Sequence, residues 1–160
     1  MFQIVLFNPE IPPNTGNILR LAANTGSTLH LIKPLGFDMN NNSLKRAGMD
    51  YKKDADFFIH DDIQSCLDKI EINEIYALTK FADKAYTKVQ FKKNDCLVFG
   101  SETSGLPDFV LEKIKKRNRL RIPMVQGSRS LNLSNAVAIV TYEALRQNSF
   151  QNLLQLIYLL

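Results

Sequence analysis

Three polar loops hold the residue types that could do chemistry. The first, "NPEIPPNTGNILR" at 8–20, stiffens its approach with prolines, offers Asn14 as a helix cap, and carries Arg20 about two turns into that helix. The second, "FGSETSGLP" at 99–107, sets Glu102 between Gly100 and Gly105, glycines that permit backbone conformations closed to other residues and the close approach of a ligand. The third, "GSRSLNLSNAVAI" at 127–139, crowds Ser128, Ser130, Asn132, Ser134 and Asn135 in front of an apolar segment. Hydroxyls, amides and backbone N–H groups at a helix start suit a small ligand held by a few hydrogen bonds. Arg20 is either a plain surface arginine or, with apolar Leu19 and Leu21 beside it, a cation set against a helix face that buries.

Other chemistries lack their residues. There is no G-x-x-x-x-G-K-[ST] phosphate loop and no G-x-G-x-x-G after the first apolar segment. His30 falls inside a strand-like run and His60 beside acidic residues, neither with a candidate nucleophile nearby in sequence, which argues against a serine or cysteine triad. Cys66 and Cys96 stand 30 positions apart without metal-type spacing. They are expected to be reduced, partly buried thiols, and no metal is expected.

Alternating β-type and helical segments must position these loops. "FQIVLF" (2–7), "TLHLI" (28–32), "EIYALT" (74–79), "DCLVFG" (95–100) and "RLRIP" (119–123) read as strands. Residues 14–26 form an apolar helical face that stops at Gly26, and Asp-led 61–71 repeats apolar residues at i, i+3, i+4 and i+7. Pro107 opens a further helix, and 133–147 is apolar on more than one face. The order predicts an α/β fold with a mostly parallel sheet flanked by helices, with ligands at the carboxyl ends of the strands. The polar stretch 40–54 reads as a surface excursion, and the apolar tail 148–160 has no functional reading. The double-faced last helix predicts a homodimer, with Tyr142 at its interface.

The 160 residues fit one domain, and 45% hydrophobic with 22% charged residues is ordinary for a soluble globular chain. No apolar run approaches the ~20 residues of a membrane span, and no leader pattern is evident, so a cytoplasmic protein is expected. The net charge is +4, yet without the six cations of "KIKKRNRLR" (113–121) the rest would stand at −2. That cluster is either a surface for a polyanion or a solvated helix end.

Taken in order, "NTGNILR", "FGSETSGLP" and "IPMVQGSRSLNLSNAVAIVTYEALRQ" resemble the three signature motifs of the SPOUT methyltransferases, in the branch that methylates ribose 2′-hydroxyls of RNA. Over roughly 3–147 the chain looks most like the minimal bacterial members acting on the wobble cytidine or uridine of tRNA. The resemblance implies a deep C-terminal trefoil knot over roughly 74–147, a homodimer and S-adenosylmethionine as methyl donor. It places the donor among Leu78, Thr79, Gly100, Glu102, Ile122, Met124, Ser130, Leu131 and Asn132. It implies a catalytic set of Arg20, Asn14, Glu102, Ser130 and Asn132, and gives Arg20, Arg129, Lys115, Lys116 and Arg117 to tRNA. Sequence rules alone would not have predicted a threaded chain. Two alternatives stay open: methylation at another tRNA or rRNA position, and an RNA-binding or assembly factor without catalysis.

Overall fold

The computed structural model describes residues 1–38, 56–151 and 153. Its strands are β1 (Gln3–Phe7), β2 (Thr28–Ile32), β3 (Phe57–His60), β4 (Ile75–Leu78), β5 (Lys84–Ala85), β6 (Cys96–Phe99) and β7 (Arg119–Arg121). The helices are α1 (Pro12–Thr25), α2 (Ile63–Leu67), α3 (Asp108–Leu111) and α4 (Leu133–Gln147). The strands form one sheet in the order β3-β2-β1-β6-β4-β7-β5, and every neighbouring pair is parallel. Parallel pairing leaves the carboxyl ends along a common edge, and β1/β6 is where the winding reverses. β7, late in the chain, lies between the earlier β4 and β5. The excursion expected over 40–54 and nearly all of the tail lie outside the described residues.

Alternation along the strands builds two cores. Ile4, Leu6, Leu29, Leu31, Leu97 and Phe99 pack with Ile18, Leu19 and Ala22 of α1 and Val137, Val140 and Ala144 of α4. Val5, Phe7, Ile32, Cys96 and Val98 point to the opposite face, onto Ile63, Cys66, Val110 and Ile114. Both faces are covered, so the inner strands read as continuous apolar runs.

Several expectations change. α1 begins two residues before Asn14, with Ile11 as its cap position and two prolines following, so Asn14 is not the cap. Proline suits the first turn because it has no N–H to leave unpaired. Gly26 ends the helix in the left-handed conformation, as expected. α2 and α3 are shorter than their patterns suggested; a 3-10 turn at Lys116–Asn118 and β7 follow, so 113–121 is not a helix end.

The two histidines, far apart in sequence, meet across β2 and β3. His30 Nδ1 lies 3.0 Å from His60 Nε2, and His30 Nε2 lies 2.8 Å from Gln3 Oε1. Since the amide oxygen can only accept, His30 Nε2 carries its proton, and His60 Nε2 donates to His30 Nδ1. Burial, then the His60 charge, lowers the His30 pKa to about 4, so the pair stays neutral. One ring nitrogen of each and Cys66 Sγ fall within 4.8 Å of one another. The sequence separation therefore understated the proximity of metal-ligand types. Three of the four ring nitrogens are engaged with each other and Gln3, and His60 Nδ1 is buried without a partner among the described residues. Burial pushes the Cys66 thiol up to about 12, which leaves it a poor nucleophile.

Candidate active site

The carboxyl ends of β4, β6 and β7 open into a cleft of about 560 Å³, a size suited to a small ligand. Its walls include Leu78 and Thr79 after β4, residues 99–106 after β6, Ile122 and Met124 after β7, and residues 130–133 leading into α4. All nine residues that the resemblance assigns to the methyl donor line it. Ile11, Thr103 and Ala136, which lie in the three loops but were given no role, also line it, as do Lys80 and Phe81, which lie outside them.

The turn after β6 is built on itself. Ser101 bridges to Gly105, whose φ of +72° favours glycine. A Cβ on Gly100 would run into the backbone of Gly105 and Leu106. The need for glycine at 100 therefore comes from the loop's own fold, where close approach of a ligand had been expected.

Glu102 leaves this turn to reach the start of α1. Its Oε2 accepts from Glu10 N at 2.8 Å, and its Oε1 from Ile11 N at 3.2 Å and Asn14 Nδ2 at 2.9 Å. Ile11 has no side chain that can cap, so a carboxylate from a distant loop satisfies those backbone donors and suits the positive end of the helix. Glu10 in turn accepts from Thr103 Oγ1 at 2.7 Å. Asn14, buried, accepts on Oδ1 from Asn132 Nδ2 at 2.9 Å. Asn132 Oδ1 accepts from Ser134 N at 2.9 Å, Asn135 N at 3.3 Å and Ser134 Oγ at 2.6 Å. The α4 N–H groups expected to be free for a ligand are thus taken by Asn132 itself. Side-chain hydrogen bonds tie three loops separated by some 90 to 118 positions.

The remaining assigned residues are spread out. Ser130 is exposed at the cleft. Arg20 is exposed on α1 and outside the cleft lining, six residues or about 9 Å along the helix from Asn14. Arg129 is exposed in the loop before α4, also outside the lining. The basic run is not a uniform patch. Lys115 pairs with Glu74 at 3.1 Å and Arg117 with the same carboxylate at 3.8 Å, and the Lys115 and Asn118 hydrogen bonds hold Glu74 below the usual carboxylate range. Arg119 donates to the carbonyls of Leu111 and Ile114, tying the end of α3 to β7. Lys116 and Arg121 are exposed. On α4, Ile139 and Tyr142 are exposed, while Val137, Val140, Ala144 and Leu145 are buried.

Known proteins share this arrangement. A protein from Yersinia pestis named tRNA (cytidine(34)-2'-O)-methyltransferase is 51% identical over 152 residues, which is 92% of this chain and 94% of that one. A protein of the same name from Methylovorus glucosotrophus is 47% identical over 150 residues, covering 94% and 97%. A solved structure concerned with 2-OH methylation of C/U34 on tRNA superposes with a TM-score of 0.86 at 40% identity, over 94% of this chain and 98% of its own. The family model for SpoU methylases matches residues 1–142, from β1 well into α4 and across all three loops. This chain therefore belongs to the SpoU rRNA Methylase family.

Proposed function

We propose that this chain transfers a methyl group from S-adenosylmethionine to the ribose 2′-hydroxyl of the wobble nucleotide, cytidine 34 or uridine 34, of tRNA. The observation that carries the reading is the cleft at the carboxyl ends of β4, β6 and β7, bounded by all three signature loops. The names of relatives about half identical over nearly their whole length supply cytidine 34, and the solved structure concerned with C/U34 supplies uridine.

The cleft fits the donor's chemistry. Leu78, Phe99, Ile122, Met124 and Leu131 offer apolar walls for an adenine, and Thr79, Ser101 and Ser130 offer hydroxyls. S-adenosylmethionine, when bound, supplies a methyl group on a sulfonium that is already a good leaving group. The chain's task is then to align the hydroxyl and manage its proton. A guanidinium with a pKa above ~12 is a poor base, so Arg20 orients the ribose and its phosphate and stabilises developing alkoxide charge. The proton passes to water or to phosphate. Arg129 and Lys116 are exposed for phosphate contacts, whereas Lys115 and Arg117 must share themselves with Glu74.

The same reading includes one domain over 1–160, a cytoplasmic location and a homodimer through the exposed face of α4 that carries Ile139 and Tyr142. It also includes the knot over 74–147, supported by β7 lying between β4 and β5. No helix of the described residues is long and apolar enough to cross a membrane. The test is to incubate the purified protein with methyl-labelled S-adenosylmethionine and total tRNA, then map the label. Label on the ribose of nucleotide 34 is expected. Label elsewhere would redirect the substrate assignment, and donor binding without transfer to any RNA would leave a binding factor.

A further inference from the structure

We infer that Glu102 is a positioning residue that works only as an ionised hydrogen-bond acceptor, locking the acceptor-side helix α1 to the donor-side loop through Asn14 and Asn132, and takes no proton from the substrate. The inference rests on the methyl-transfer reading above and deepens it.

The direction of every bond follows from one end. Asn132 Oδ1 accepts from the N–H groups of Ser134 and Asn135 and from the Ser134 hydroxyl, so its amide nitrogen must face Asn14. Asn14 therefore presents Oδ1 to Asn132 and is obliged to present Nδ2 to residue 102. Two backbone donors, Glu10 N and Ile11 N, converge on the same carboxylate, one on each oxygen. Residue 102 must accept three hydrogen bonds and donate none towards these partners. An ionised carboxylate does this; a glutamine of the same shape sets an N–H against an N–H at one end or the other. A proton on Oε1 would oppose the two donors it already accepts and break the link on which Asn132 depends, while a proton on Oε2 would compete only with the bond from Glu10 N. Asn132 and Glu102 both line the cleft, so breaking the link would disturb the donor site in the step that needs it aligned.

The polarity argument supplies its own test. In Glu102→Gln the new amide must oppose one of its three donors. In Asn14→Asp two carboxylates face each other. In the double variant the introduced glutamine can donate its amide hydrogen to the introduced aspartate. The other oxygen of that aspartate still accepts from Asn132, while the glutamine carbonyl keeps Glu10 N. Only the long, exposed Ile11 N–H bond is given to water. We expect Asn14→Asp to lose roughly 100-fold in kcat for methyl transfer to tRNA. Glu102→Gln should lose less, because its carbonyl can still take Asn14 and Ile11 N at the expense of Glu10 N. The double variant should recover about tenfold or more over Asn14→Asp. Recovery should come without a carboxylate at position 102 and with the wild-type dependence of kcat on pH.

If the double variant is no more active than Asn14→Asp although calorimetry shows it binds S-adenosylmethionine like the wild type, the positioning role is wrong and the carboxylate itself is chemically required. A second measurement does not depend on the double variant folding. The residual activity of Glu102→Gln should keep the wild-type pH profile, and loss of a titrating limb would overturn the inference. Failure of the parent reading is distinct, because the wild-type enzyme would then transfer no label to tRNA.

Discussion

At the scale of single residues, the proposed site separates groups assigned to ligand from groups that hold other groups. Arg20 is the one strong cation assigned to the chemistry, and it stands on the solvent side of α1. Arg20→Ala should keep donor affinity, measured by calorimetry, and lose roughly 100-fold or more in kcat, the scale seen when a charge-stabilising donor is removed. Turnover within a few-fold of wild type would remove Arg20 from the reaction. Arg20→Lys should recover little, since a point charge does not replace a planar fork. The nine residues assigned to the donor were legible as neighbours: seven lie in the second and third motifs, and Leu78 and Thr79 end the strand-like run 74–79. Phe81 and Lys80 were not, because an aromatic and a lysine after a strand carry no signal until the fold places them beside the cleft. The reversal of Asn14 from helix cap to bridge was illegible for a related reason. The sequence shows which groups can hydrogen-bond but not that a glutamate 88 positions away will do so.

At the scale of elements, two devices invite measurement. The turn after β6 closes on Gly100, so Gly100→Ala should cost on the order of 3 kcal/mol in chemical denaturation and weaken donor binding together with stability. A variant as stable as wild type would mean that the turn can open without penalty. At the other side of the sheet, the His30–His60 pair joins β2 to edge strand β3. Folding depresses the His30 pKa from 6.5 to about 4, so the unfolded chain binds the proton first. The contribution is fully present above pH 6.5 and is lost as pH falls towards 4, a swing of roughly 3 kcal/mol. His60 shifts the same way, mainly by burial and then by Lys69, with Asp61 and Asp62 opposing. Denaturation midpoints measured between about pH 7 and 4.5 should fall in the wild type and flatten in His30→Gln; parallel slopes would refute this. The inner strands were readable as apolar β-branched runs, whereas β3, as long as β4 and β6, lies between Asp56 and Asp61 with Phe58 and Ile59 exposed, and β5 has only two residues. The apolar patterns of 61–71 and 107–117 outran the helices because Ile70 and Ile114, beyond the helix ends, still pack on the second core from turns.

At the scale of the whole molecule, α4 buries one face against α1 and the sheet and leaves Ile139 and Tyr142 exposed. If that face joins two subunits, the double variant Ile139→Asp with Tyr142→Asp should raise the monomer fraction in sedimentation at micromolar concentration. An unchanged distribution would place the interface elsewhere. The parallel α/β architecture was legible from the alternation of segments, while the strand order was not, since nothing local tells a strand which neighbour to join. That order governs timing. A ribosome releases β4, β5 and β6 before β7, yet β7 must come to lie between the first two, and its end carries Ile122 and Met124 into the cleft. Synthesis proceeds from the amino terminus at some 5–20 residues per second. The cleft proposed for the donor therefore cannot exist on a nascent chain until the last third has emerged, and a chain halted before residue 119 is a sheet with a gap instead of a slower enzyme.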